Sequence, residues 1–144
     1  YLAFPYDEIF SKIGATSMKL ETDATGTYVG SSYSWATPRD WAKYGLLYSN
    51  DGSWLGEQIL PKGWAKYSGT PIPQSNGTYG AQFWTQNMEE YPDVPTDMYF
   101  ADGYQGQRVF ILPSEDIVVV RLGLSNGSVN YNKLLKGIIE SINK

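Results

Sequence analysis

Neither histidine nor cysteine occurs anywhere in the 144 residues. Without histidine the chain can assemble no Ser-His-Asp triad, no histidine-ligated zinc and none of the commonest general bases near neutral pH. Without cysteine it has no disulfide, thiolate metal site or thiol nucleophile, an absence that fits more than one compartment. Any hydrolytic chemistry must therefore use Ser, Lys, Tyr or carboxylates. Basic residues are also few: 11 Lys and Arg against 15 Asp and Glu give a net charge of −4. These cations are scattered rather than clustered, which argues against a nucleic-acid partner. Long apolar runs are missing too. Ile117 to Val120 is cut by Arg121, far below the ~20 residues a spanning helix needs. Asp7 and Glu8 sit where a signal peptide would carry its apolar core.

What is present is a globular composition, 42% hydrophobic and 15% aromatic, long enough for one domain with a real core. Tyr1 to Gly14 reads as a short helix: Pro5 suits its first turn, Asp7 and Glu8 its positive end, and Tyr6, Ile9, Phe10 and Ile13 one apolar face. Gly14 closes it, and an apolar stripe with nothing before it to bury it suggests a cut N-terminus. Met18 to Glu21 is a candidate strand, Thr25-Gly26 a turn, and Thr27 to Trp35 an extended small-residue segment. Thr37-Pro38-Arg39-Asp40 is a helix start, with Thr37 as N-cap and Asp40 at the reciprocal capping place. Trp41, Gly45 and Tyr48 share a face of that helix, and Asn50-Asp51-Gly52 ends it. Trp54 and Leu55 are expected to anchor a loop on the core, Pro61 to Tyr67 to form a second short helix, and Tyr79 to Trp84 a strand. Asn87 to Asp97 reads as a loop, Asn126-Gly127 as a turn, and a helix from about Tyr131 carries Leu134, Leu135, Ile138, Ile139 and Ile142 as a stripe that should lie across the sheet.

The most informative stretch runs from Tyr99 to Leu124. Val109 to Leu112 and Ile117 to Leu122 are β-branched and apolar runs of strand length, separated by the turn chemistry of Pro113-Ser114-Glu115-Asp116. Ahead of them Gly103 and Gly106 bracket Tyr104 and Gln105. Glycine there permits either close approach of a ligand to main chain or a glycine bulge at a strand start, and the glycines alone leave both open.

Other motifs carry less. Tyr48-Ser49-Asn50 has the Tyr-x-Asn form of serine acyltransferases, but Tyr48 lies on the apolar face of a helix's last turn, which assigns it to the core. Ser141 and Lys144 have Ser-x-x-Lys spacing on a fraying C-terminal end, where no rotamer is locked for catalysis. Asn76-Gly77-Thr78 and Asn126-Gly127-Ser128 match the glycosylation pattern, yet Asn-Gly is first a turn dipeptide. Glu89, Glu90, Asp93 and Asp97 match no calcium loop and read as a solvated edge. The aromatic richness invites a sugar-binding platform, although most aromatics fall on faces assigned to the core.

Taken in order, Phe10-Ser-Lys-Ile-Gly14, Glu21-Thr-Asp-Ala-Thr-Gly26, Tyr28-Val-Gly-Ser-Ser-Tyr33, Ala36-Thr-Pro-Arg-Asp-Trp41, Gly45-Leu-Leu-Tyr48, Asp51-Gly52, Ile59-Leu-Pro-Lys-Gly-Trp64 and Gly103-Tyr-Gln-Gly-Gln107 resemble the serine β-lactamase and penicillin-binding-protein-like hydrolases. The branch is the one similar to class C β-lactamases and related esterases and amide hydrolases, and the resemblance covers almost the whole chain. It implies a C-terminal portion only, because the family's Ser-x-x-Lys and Tyr-x-Asn motifs, with nucleophile, lysine and tyrosine, belong upstream of Tyr1. The family's third motif, Lys-Thr-Gly or a variant, best matches Ala101-Asp102-Gly103, where Lys and Thr are both absent, and this disfavours a classical β-lactamase. Carried over to these positions, the amide of Tyr104 just after Gly103 would be half of an oxyanion hole, a donor worth about 3 kcal/mol when preorganised. Ser32, Tyr33, Asp102, Gln105 and Gln107 would form the substrate-pocket wall.

The resulting expectation is an α+β fold, a partial β-lactamase-like domain with residues 1–75 mainly helix and loop and residues 76–144 an antiparallel sheet edge under a C-terminal helix. The implied function is the C-terminal part of a serine hydrolase that forms an acyl-enzyme on an ester, amide or peptidoglycan-like substrate. Its partners would be the N-terminal part of the same domain and a small-molecule or peptide-like acyl substrate, with no metal or cofactor, in either the periplasm or the cytoplasm of a bacterium. The alternative is a non-catalytic peptide- or glycan-binding module on the same fold.

Overall fold

A computed structural model describes every residue except Asn126, Ser128, Asn143 and Lys144. The expected turn at Asn126 and the Ser-x-x-Lys ending at Lys144 therefore involve residues outside those described. Among the described residues no helix is long and apolar enough to cross a membrane.

The organising element is a four-stranded antiparallel sheet of β5 (Trp84–Thr85), β6 (Tyr99–Gly103), β7 (Gln107–Leu112) and β8 (Ile117–Arg121), in that order. The hairpin read from Val109 to Leu122 is present, with Pro113–Glu115 as a tight turn and Asp116 in the left-handed region at φ 54°. Strand β6 adds a second hairpin ahead of it. The register sets Phe100 opposite Phe110 and Phe110 opposite Val119, while Ala101, Val109 and Val120 line up one residue away. Because successive side chains alternate, these rows belong to opposite faces, and each face needs its own cover.

One face is covered by α3 (Tyr131–Ile142), which buries Tyr131 and Leu135 against Phe100, Phe110, Leu112 and Ile117. The other lies under α1 (Pro38–Ser49), where Gly45 permits the approach: a Cβ there would stand 2.5 Å from Val118 Cγ1 and 3.1 Å from Val109 Cγ1. Tyr44 and Tyr48 of α1 pack onto Phe83, Tyr99 and Ile111. Tyr48 is thus a core residue, its ring centroid 4.8 Å from that of Phe83.

Helix α1 also closes a second core. Leu47 is buried with Phe10, Ile13, Ala15 and Met18. The N-terminal helix that delivers Phe10 and Ile13 is wound more widely than expected: Tyr6–Phe10 is a π turn, with Ser11 N–H donating to Tyr6 O at 2.9 Å. Gly14, at φ +66°, ends this segment. A two-residue pair, β1 (Lys19–Leu20) with β2 (Ser34–Trp35), follows.

The capping of α1 departs from the simple reciprocal form. Thr37 Oγ1 accepts from Asp40 N–H at 3.4 Å, but the Asp40 carboxylate does not return to Thr37. It accepts instead from Ser17 N–H at 2.8 Å, Ser17 Oγ at 2.6 Å and Lys43 Nζ at 2.8 Å, while Ser17 Oγ accepts from Thr37 N–H at 2.9 Å. Ser17 has inserted itself into the box, which ties the N-terminal segment to α1. The Lys43 and Ser17 hydrogen bonds hold the Asp40 carboxyl at about 2, below the usual carboxylate range.

Several expectations need correction. Tyr79 to Trp84 is not a strand: Gly80 N–H donates to Phe83 O and Gln82 has φ 69°, so the chain turns, and only Trp84–Thr85 pairs with the sheet. Trp54 packs on the core, but Leu55 is 96% exposed at φ 48°, on the turn between β3 (Ser53–Trp54) and β4 (Glu57–Gln58). The second helix begins later, as α2 (Trp64–Gly69), because Gly63 takes a left-handed φ of 81° and Pro61 lies in the preceding turn. The α3 stripe is only half used. Tyr131, Leu135 and Ile139, spaced four apart, meet the sheet, whereas Leu134 and Ile142, on the adjacent row, are 38% and 60% exposed.

The assignment of aromatics to the core holds only in part. Tyr1, Phe4, Tyr33, Trp35, Trp64, Tyr67, Trp84 and Tyr104 are all exposed. The acidic loop is tied down rather than merely solvated: Asp93 accepts from Asn132 and Lys136 of α3, and Asp97 accepts from Ser114 N–H and Oγ.

Candidate active-site strand and turn

Strand β5 pairs with β6 at Tyr99 and Phe100, so among the described residues Ala101, Asp102 and Gly103 run past it with no strand on that side. The turn Tyr104–Gly106 then leads into β7. The register continues to Gly103 opposite Gln107, so there is no bulge at Gly103, whose φ of −109° is ordinary extended backbone. Its lack of a side chain matters for space: a Cβ would stand 3.0 Å from Gln107 Cβ. The unusual conformations lie further on, at Gln105 with φ 59° and Gly106 with φ 85°. A left-handed glutamine costs on the order of 1 kcal/mol, and such strain persists only where the surroundings hold it.

Those surroundings are specific. At the β6 end, Asp102 accepts from Arg108 Nε at 2.8 Å, and Arg108 NH1 donates to Tyr91 Oη at 2.7 Å. The Arg108 guanidinium lies 4.1 Å from the centre of the Tyr131 ring and 5.0 Å from that of Phe100, a cation–π arrangement. Burial works against its charge, yet the Asp102 hydrogen bond and the neighbouring phenols and carboxylate outweigh that and raise its pKa. At the β7 end, the Gly106 carbonyl accepts from Arg121 NH1 at 3.0 Å and from Tyr131 Oη at 3.2 Å. Gln107 exchanges two hydrogen bonds of 2.8 Å with the Gly123 backbone. Between these anchors Tyr104 is 85% exposed.

A hollow of about 430 Å³ opens beside the turn, with Glu90, Asp102, Gly103, Gln105, Arg108 and Tyr131 in its wall. A hollow of about 490 Å³ runs along α3 past Leu134 and Ile138. The one beside the turn is the better candidate, because convergent polar groups and exposed backbone meet there, whereas the other is a shallow apolar flank.

Of the residues expected at the site, Asp102, Gly103, Gln105 and Tyr104 are therefore together on one strand end and turn. Gln107 is adjacent, but its amide is committed to Gly123. Ser32 and Tyr33 lie elsewhere in the chain, near the β1–β2 pair, where Ser32 N–H donates to Val29 O and Tyr33 O accepts from Glu21 N–H. Arg108, Arg121, Tyr91 and Tyr131 escaped sequence reasoning. The signal for one of them was available: in a hairpin of this register Asp102 faces Arg108, an opposite-charge cross-strand pair.

No family model and no curated protein matches the chain. Among solved structures it is similar to a Bacillus anthracis protein described as a "putative 6-aminohexanoate-dimer hydrolase", with a TM-score of 0.76 and 24% identity. The fold is β-lactamase-like. The match takes in 96% of this chain but only 38% of that one, so the chain spans well under half of the protein it superimposes on. The α+β architecture, with an antiparallel sheet under a C-terminal helix, matches part of a β-lactamase-like fold.

Proposed function

We propose that this chain is the C-terminal part of a serine hydrolase that works through an acyl-enzyme on an ester, amide or peptidoglycan-like substrate. The observation that carries the reading is the superposition of nearly the whole chain on 38% of a protein described as a putative 6-aminohexanoate-dimer hydrolase. In this reading residues 1–75 and 76–144 belong to one hydrolase domain, completed by sequence upstream of Tyr1. Among the described residues no strand pairs with the outer edge of β8, the last in the sheet order, which supports such a completion.

The upstream part supplies the serine of a Ser-x-x-Lys motif and the tyrosine of a Tyr-x-Asn motif. The serine oxygen attacks the substrate carbonyl carbon, its proton passing to lysine and tyrosine, and the carbonyl oxygen becomes an oxyanion. This chain supplies the Tyr104 amide that stabilises that charge, with Asp102, Gly103 and Gln105 along the bound acyl group and Ser32 and Tyr33 on a more distant wall. The oxyanion collapses to the acyl-enzyme carbonyl as the leaving group departs with that proton, and water then cleaves the acyl-enzyme, one of its protons returning to the serine oxygen. Preorganisation fits the geometry, since a turn pinned at both ends presents its backbone without reorganising.

The test is turnover of an activated ester, such as a p-nitrophenyl acyl ester, by a polypeptide in which the gene's upstream sequence precedes Tyr1. Turnover that is lost in residues 1–144 alone is the expected result. A complete polypeptide with no turnover would contradict it and favour the second reading, a peptide- or glycan-binding module. The exposed Trp35, Trp64, Tyr67, Trp84 and Tyr104 are the observation on that side.

A further inference from the structure

The turn Tyr104–Gly106 is held by residues that no motif contains. The Gly106 carbonyl receives two donors, Arg121 NH1 at 3.0 Å and Tyr131 Oη at 3.2 Å. Arg121 is itself fixed, because its guanidinium also donates to the Gly123 carbonyl and to Ser125 Oγ. Tyr131 is fixed by burial and by the Arg108 guanidinium 4.1 Å from its ring centre. The fit is close enough that a Cβ on Gly106 would lie 2.6 Å from Tyr131 Oη and 3.3 Å from Arg121 NH1. Tyr131 therefore joins the two ends of the turn. Its hydroxyl holds Gly106 at the end of the turn, and its ring carries the arginine that holds Asp102 before it.

The Gly106 carbonyl is joined to Tyr104 through a left-handed pair, Gln105 at φ 59° and Gly106 at φ 85°. Rotation of the Gly106 carbonyl away from its two donors would be transmitted through that pair, since Tyr104 between the anchors is 85% exposed. A catalytic donor must be within a few tenths of an ångström of its place to be effective, and small misplacements from remote changes cost large factors in rate.

We propose that Tyr131 and Arg121 are positioning residues that fix the Tyr104 amide through the Gly106 carbonyl. This rests on the hydrolase reading above and deepens it. The test compares wild type, Tyr131→Phe, Arg121→Lys and the control Tyr48→Phe in the polypeptide carrying the upstream sequence, by ester kinetics and by amide hydrogen exchange of residues 103–107. Tyr131→Phe keeps the ring under Arg108 and removes only the hydroxyl, so the fold is retained. The expected result is a kcat lower by about tenfold or more with KM changed less than about twofold in Tyr131→Phe and Arg121→Lys. Exchange at 103–107 should rise about tenfold in both, with the amides of β7 from Arg108 onward and of β8 unchanged. Tyr48→Phe should match wild type. An active wild type with kcat and turn exchange unaltered by Tyr131→Phe and Arg121→Lys overturns the positioning role while leaving the hydrolase reading in place. A wild type with neither turnover nor labelling by a covalent serine probe overturns the hydrolase reading and the positioning role with it.

Discussion

Asp40→Asn is the perturbation whose size the structure sets most directly. Asp40 is buried at the N-terminus of α1 and is the common acceptor for Ser17 N–H, Ser17 Oγ and Lys43 Nζ, so it joins the N-terminal segment to the helix. Its pKa falls from 3.8 to about 2, chiefly through the Lys43 and Ser17 hydrogen bonds. A lowering of nearly two units at ~1.4 kcal/mol each gives an upper bound of about 2.5 kcal/mol. Lys43 is one-third exposed, so solvent screens part of this and about 1–2 kcal/mol is expected at pH 7. The unfolded chain takes up this proton first as pH falls, because its pKa is the higher one. The stabilisation is therefore complete above about pH 5 and drains away as pH drops through 4 toward 2. Urea denaturation of wild type and Asp40→Asn at pH 7, 4 and 3 should show a midpoint difference nearly full at pH 4 and about half as large at pH 3. A difference equal at pH 7 and pH 3, or none at pH 7, would refute an ionised Asp40 as the joint.

Gly45→Ala should destabilise by about 1–2 kcal/mol in thermal melts, since overpacking against Val118 and Val109 outweighs the gain in helix propensity. Gly106→Ala should cost about 2–4 kcal/mol and speed exchange of the turn amides, because it combines a left-handed φ with displacement of Tyr131 Oη. Phe110→Ala, at a fully buried position between Phe100 and Tyr131, should cost about 3–5 kcal/mol by denaturant titration.

The sheet was the most legible part of the fold, because Val109–Leu112 and Ile117–Arg121 carry unambiguous β-branched and apolar runs with turn chemistry between them. Helix α1 was legible from Thr37 and Pro38, though not the insertion of Ser17, which is 20 residues away and has no local signature. Leu55 and the outer row of α3 show the opposite failure: apolarity alone implies burial, but it does not say which side of a turn or helix meets a neighbour. At the candidate site, Gly103 and Gly106 stood out because glycine is a conformational signal. Arg121 and Tyr131 did not, because their role is the direction of a guanidinium and a hydroxyl toward one carbonyl, which only the register and the α3 packing bring together.

The central claim is that the nucleophile lies outside these residues and the chain completes a serine hydrolase around it. A fluorophosphonate serine probe, applied to the polypeptide with its upstream sequence and followed by peptide mapping, tests it most directly. The account predicts one labelled serine, within a Ser-x-x-Lys upstream of Tyr1, and no label on residues 1–144. Label on a serine within these residues, or an unlabelled complete polypeptide, would contradict it.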